Sequence, residues 1–168
     1  MVLKVRERLL ATPAGAERPL TGEEMLAFAR GIDLRALRLG EYRRFSPSRY
    51  ARNSVLLNER IELVVICWRA GQTTAIHDHG KSNCLYLVVE GTMREELFRV
   101  AEGEEPRLLR LRTFRRGEIM LAGPKDVHRI TNAGKEDLVT VHLYSPPLGE
   151  TMTLYGPVPG GVAADPRS

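Results

Sequence analysis

The chain has four histidines in 168 residues, and all of them lie beyond residue 76: His77, His79, His128 and His142. Two of them stand two apart in IHDH (76–79). On an extended strand, residues i and i+2 point to the same face, so two imidazoles can hold one ion from adjacent rungs. A third ligand must then come from elsewhere, and His128 follows the turn signal Gly123-Pro124 on a later strand. Three neutral imidazoles suit iron, zinc, copper or nickel almost equally, so spacing alone leaves the metal open. The competing reading is a set of packed histidines with no ion. A second constellation is Thr140, His142 and Tyr144, whose alternation in LVTVHLY (138–144) predicts one shared strand face.

These residues need a scaffold of strands, and the chain supplies one. From Tyr50 to Tyr144 the hydrophobic pattern is that of β structure. ELVVICW (62–68), CLYLVVEG (84–91), REELFRV (94–100), LLRLRTF (108–114), EIMLA (118–122), VHRIT (127–131) and LVTVHLY (138–144) are separated by Gly71-Gln72, Glu90-Gly91, Arg116-Gly117, Gly123-Pro124 and Ala133-Gly134. Many short strands at regular spacing predict an antiparallel sandwich or barrel. Residues 1–45 read as helical. Thr21 to Glu24 fits a capping box ahead of Met25, Phe28 and Ala29, and Asp33 can cap a second short helix that Gly40 would end. The chain is read as one domain over 1–168: a helical segment (1–45), a β-barrel (50–147) and a Gly/Pro-rich tail (148–168).

Composition excludes several classes. Apolar residues make up 43% and charged residues 27%, as in ordinary globular domains. No apolar run approaches the roughly 18 residues of a membrane span, and MVLKVRERLLATPAGAERPL lacks a signal-peptide core. Two cysteines do not make a disulfide framework. The net charge of +4 comes from dispersed residues, mostly arginine, interleaved with acids, which argues against a nucleic-acid face. The expectation is a cytoplasmic protein, monomeric or weakly associated, with no nucleic-acid or membrane partner.

The histidine spacing resembles the first cupin motif: Gly71, five residues, His77, one residue, His79, four residues, a ligand position, six residues and Gly91. Gly117, His128 and Asn132 resemble the second motif. The usual glutamate ligand of the first motif is replaced by Cys84. The resemblance implies a mainly β fold, a small double-stranded β-helix (jelly-roll) barrel with short N-terminal helices.

A narrower resemblance covers roughly Arg49 to Pro147. YARNSV (50–55), VICW (65–68), IHDHGKSNC (76–84), EGTMREELF (90–98), VHRITN (127–132) and VHLYSPP (141–147) together resemble the cysteine dioxygenases. That resemblance implies one Fe(II) per chain on His77, His79 and His128, O2 as co-substrate, and L-cysteine converted to cysteine sulfinate. It implies that Arg52, with Tyr50 two residues earlier, holds the substrate carboxylate; a guanidinium fork suits that task. It also implies that Thr140, where the family has serine, and His142 orient the Tyr144 hydroxyl, and that Cys84 can form a thioether to Tyr144. With cysteine at the cupin glutamate position, the ion loses an anionic ligand and can accept an anionic thiolate. Cys84 sits an odd offset after His79, so a turn or bulge at residues 80–83 must reset its direction. Cys67 reads as a core residue, Trp68 as packing, and Asp78 as pointing away from its histidine neighbours.

Two other functions fit parts of this pattern. A 3-mercaptopropionate dioxygenase would share the histidines and the relay, but its relatives typically carry glutamine at the position of Arg52 and glycine at that of Cys84. A non-catalytic cupin module would be expected to lose ligands or relay residues. An isomerase or hydrolase usually needs a carboxylate beside the ion.

Overall fold

The computed structural model describes residues 18–33, 39–149 and 151–156. Helix α1 (Gly22–Arg30) opens on the expected capping box: the Thr21 hydroxyl accepts from the Glu24 N–H, and the Glu24 carboxylate accepts from the Thr21 N–H at 2.7 Å. The second expected helix falls mainly on residues 34–38, outside those described. Gly40, at φ +48°, instead opens a single 3-10 turn, Gly40–Tyr42.

Ten strands follow among the described residues: β1 (Ala51–Leu57), β2 (Glu62–Trp68), β3 (Ile76–His77), β4 (Asn83–Glu90), β5 (Thr92–Arg99), β6 (Arg107–Arg115), β7 (Ile119–Ala122), β8 (Val127–Asn132), β9 (Leu138–Ser145) and β10 (Leu154–Tyr155). They form two five-stranded antiparallel sheets, ordered β1-β2-β9-β4-β7 and β10-β3-β8-β5-β6. This is the mainly β, double-stranded barrel expected. Each of the seven apolar runs coincides with a strand to within two residues. Three strands carry no such run: polar β1, two-residue β3, and β10, which lies in the expected tail.

The first sheet is covered on both faces. Leu63, Val65 and Cys67 of β2, Leu85 and Val89 of β4, and Val139, Val141 and Leu143 of β9 pack with Met25 and Ala29 of α1. The alternate residues Val64, Ile66, Trp68, Cys84, Tyr86, Val88 and Tyr144 face the second sheet and meet Met93 and Ile130. Burial on both faces explains why β2, β4 and β9 read as continuous apolar runs rather than alternations. The outer face of the second sheet mixes charged side chains with exposed leucines of β6, and there Arg129 pairs with Glu96 and lies over the Phe98 ring.

Gly91 makes the β4–β5 turn at φ +82°, and a Cβ there would lie 2.5 Å from the Asp137 carbonyl oxygen. Glycine is therefore required on two counts. Among the described residues, no helix is long and apolar enough to cross a membrane.

Candidate metal centre and substrate pocket

His77 and His128 are register partners across β3 and β8. His79 lies just beyond β3, which ends at His77, so the two motif histidines do not share a paired strand as expected. The backbone changes partner between them: the Asp78 N–H goes to the Thr153 carbonyl at 3.1 Å and the His79 N–H to the Pro124 carbonyl at 3.0 Å. The three rings still converge. They are buried, and one ligand atom from each lies within 4.8 Å of the others.

The second nitrogen of each ring explains what the cluster is for. His77 Nδ1 lies 3.0 Å from the Ala75 carbonyl, His79 Nδ1 3.3 Å from the Gly123 carbonyl, and His128 Nδ1 2.9 Å from a Glu95 carboxylate oxygen. A carbonyl or carboxylate only accepts, so each Nδ1 carries the proton and each Nε2 presents a bare lone pair. His79 Nε2 and His128 Nε2 face each other at 3.1 Å. Two lone pairs at that distance repel, and a shared cation relieves them. Burial, with neighbouring His128 and His79, pushes the His77 pKa well below its usual value. Burial and His128 push His79 down to about 3. The His77 and His79 rings are thus neutral, as metal ligation requires. This donor set fits a divalent metal ion.

Glu95 was not singled out in the sequence. It is fully buried on β5, beside Met93 on the inward face. Its carboxylate also accepts from the Tyr86 hydroxyl and from Arg112 Nε at 2.7 Å. The available signal was a glutamate at an inward position of the EGTMREELF strand.

The opposite wall comes from the first sheet. His142 Nε2 lies 3.0 Å from the Thr140 hydroxyl and Nδ1 lies 3.2 Å from the Tyr144 hydroxyl, so the expected chain of contacts is present. Trp68 extends it, donating from Nε1 to the Thr140 hydroxyl at 3.0 Å, a contact beyond the simple packing expected of it. Burial, with the nearby Arg52 charge, keeps His142 well below its usual pKa. Burial and the adjacent Cys84 push Tyr144 up.

Cys84 pairs across the sheet with Tyr144, and its Sγ lies 4.0 Å from His142 Nδ1. The reset after His79 is a turn, with Gly80 at φ +63°. Cys67 faces the α1 side, where burial raises its thiol to about 11.

Arg52, on β1, enters the same pocket. Its guanidinium lies 5.4 Å from the Tyr144 ring centroid, and one Nη pairs with Glu62. The other, Nη1, is buried with no hydrogen-bond partner. Tyr50 stacks on Trp68 with ring centroids 4.4 Å apart. Tyr50, Arg52, Trp68, Cys84 and Tyr144 line one pocket together with the three histidines. Every residue expected at the site therefore lines the pocket or, in the case of Thr140, contacts a residue that does.

Residues 22–155 match the sequence profile of the family described as cysteine dioxygenase type I. The chain belongs to the cysteine dioxygenase family. The cysteine dioxygenase type 1 of Rattus norvegicus is 30% identical over 130 residues, covering 74% of this chain and 65% of that protein. That of Danio rerio is 31% identical over 128 residues, covering 67% of this chain and 59% of that protein. The chain thus matches just under two thirds of the length of these relatives. A Klebsiella pneumoniae protein with a double-stranded β-helix domain superposes with a TM-score of 0.58 at 25% identity, covering 72% of this chain and 91% of its own. An oxalate oxidase in complex with glycolate shares the fold, with a TM-score of 0.53 at 17% identity over 74% of this chain and 65% of its own. The span matched to the cysteine dioxygenases contains the histidine cluster, Arg52, Cys84 and the Thr140–His142–Tyr144 chain. Thr140, expected from the resemblance to stand in for a serine, makes its hydroxyl contact with His142.

Proposed function

We propose that this chain is an Fe(II)-dependent thiol dioxygenase acting on L-cysteine, with one iron held by His77, His79 and His128. When bound there, Fe(II) supplies the redox chemistry that lets O2 react with a thiolate. The overall change is balanced without a reductant. A thiolate and O2 give a sulfinate, sulfur losing four electrons and the two oxygen atoms gaining them, which is the sulfinic rung of the thiol ladder.

The residues divide the remaining work. Arg52 Nη1 is a buried donor with no geometric hydrogen-bond partner, beside Tyr144, and a carboxylate satisfies it. This observation carries the reading, because the same pocket holds the three imidazoles. Tyr50 braces Trp68, and Trp68 only donates. The Thr140 proton is then free to go to His142 Nε2, and His142 Nδ1–H to the Tyr144 oxygen. That direction leaves the Tyr144 proton available to the substrate carboxylate or to oxygen. Cys84, across from Tyr144, takes the place of an anionic ligand and is the candidate thioether partner. The reading includes a monomer in the cytoplasm, where Cys67 and Cys84, both free thiols, would stay reduced.

The test is O2 uptake and product mass after anaerobic loading with Fe(II), using L-cysteine, 3-mercaptopropionate and cysteamine in parallel. One O2 per cysteine sulfinate, with the other thiols slow, is expected. Preference for 3-mercaptopropionate would overturn the substrate, and no uptake despite bound iron would overturn the dioxygenase reading.

A further inference from the structure

The three candidate ligands differ in what stands behind them. His77 and His79 hydrogen-bond through Nδ1 to neutral backbone carbonyls, whereas His128 does so to a carboxylate. That carboxylate belongs to Glu95, the one acidic side chain among the described residues hydrogen-bonded to any of the three rings.

We propose that Glu95 is a positioning residue that acts through His128 and sets how tightly the site holds its metal ion. The proposal rests on the reading that the three histidines bind a metal. Glu95 sits on β5, paired with Ile130 of β8 on one side and with Arg112 of β6 on the other. From that position it reaches His128, two residues from Ile130 along β8, the diagonal neighbour in an antiparallel pair. Burying a carboxylate is costly unless it is fully hydrogen-bonded. Here the His128 Nδ1–H, the Tyr86 hydroxyl and the Arg112 guanidinium all converge on it. Tyr86 is itself held between His128 and His142, with ring centroids 6.0 Å and 5.3 Å away.

Two consequences follow for the ion. The carboxylate admits only the Nδ1–H form of His128, so Nε2 always faces the cluster. Its negative charge also makes that ring a stronger donor, as outer carboxylates do for ligating histidines. The charge missing from the ion's own contacts, because Cys84 stands where cupins usually carry glutamate, is thereby restored one imidazole further out and from a different strand.

A purely structural Glu95–Arg112 ion pair would be indifferent to metal, and this separates the two accounts. Fe(II) and Zn(II) affinities are measured by chelator competition for the wild-type chain, Glu95→Gln and Arg112→Gln, with thermal unfolding of each metal-free protein alongside. The expected result is a loss of about 10–100-fold in affinity for Glu95→Gln and a change within about threefold for Arg112→Gln. Equal affinities for the wild type and Glu95→Gln would overturn the proposal. So would an equal loss in both variants, which would assign the effect to the ion pair. Wild-type protein that takes up neither metal would overturn the metal reading itself. Should Glu95→Gln fail to fold, the Zn(II)-loaded wild-type chain decides by NMR. The His128 Nδ1 proton should resonate downfield of those of His77 and His79, and coincident shifts would count against a carboxylate partner.

Discussion

Asp78 lies between His77 and His79 in the chain, yet its carboxylate turns away from both and accepts the Tyr155 hydroxyl at 2.9 Å. The same carboxylate accepts the Gly80 N–H at 2.9 Å and the Thr153 N–H at 2.8 Å. One side chain thus fastens β10 to the segment that carries two candidate ligands. Gly80 has no room for a side chain on that side, since a Cβ would lie 2.3 Å from the Thr151 hydroxyl.

Replacing Asp78 with alanine should therefore loosen both the β10 contact and His79. Three donors would lose their acceptor, at about 1–3 kcal/mol for each that stays buried. Thermal unfolding of the metal-free protein should show the loss, and metal titration should show weaker binding. Tyr155→Phe removes one contact and should cost about 1 kcal/mol. Unchanged unfolding in both variants would mean that β10 is not held through Asp78.

Arg52→Gln should reduce kcat/KM for L-cysteine by about 10–150-fold, the equivalent of the 1.5–3 kcal/mol of a hydrogen bond to a charged group. Cysteamine, which has no carboxylate, should be turned over almost as by the wild type. Steady-state O2 uptake with each thiol measures the ratio, and an unchanged ratio would rule out the carboxylate role of Arg52.

Cys84→Gly should keep its metal, because Cys84 is not one of the three clustered donors. The rate of cysteine oxidation should change, since Cys84 faces His142 and Tyr144. Loss of a small buried side chain together with a glycine in mid-strand should cost about 1–2 kcal/mol. Metal analysis beside O2 uptake checks this, and metal-free Cys84→Gly would contradict the assignment.

The metal-free protein should lose stability as pH falls. Burial holds His77 and His142 well below, and His79 at about 3 against, an ordinary value of 6.5. Below that value the unfolded chain binds protons that the folded chain refuses, so stability is full above about pH 6.5 and declines beneath it. The slope reaches about 1.4 kcal/mol per pH unit for each such histidine. A thermal midpoint that is flat between pH 7 and pH 5 in metal-free protein would contradict buried neutral rings.

Much of this site was legible in the sequence because its signals are local. His77 and His79 announce themselves by spacing, and the apolar runs announce β2, β4 and β9 because both faces of those strands are buried. Other features arise only from tertiary neighbours. Glu95 looks like any charge in MREELF until the β5–β8 register sets it beside His128. Glu62 begins an apolar run, and nothing in the chain pattern shows that its carboxylate pairs with Arg52, whose own partner across β1–β2 is Ile66. Strand β3 is too short to show a period, and β10 exists because Asp78 and His77 offer it partners.

The two five-stranded sheets divide the pocket between them. All three candidate ligands come from the β3 and β8 side, while Arg52, Cys84, His142 and Tyr144 come from β1, β4 and β9. The gap across which substrate must fit is thus the thickness of a sandwich filling, maintained by Val64, Ile66, Val88, Met93 and Ile130. Such a site behaves like a calliper locked at one setting. Its tolerance for a longer or shorter thiol is written into the volumes of aliphatic side chains, of which Ile66 and Ile130 line the pocket and Met93 stands behind it, and trimming Met93 would reset it with every polar group left in place.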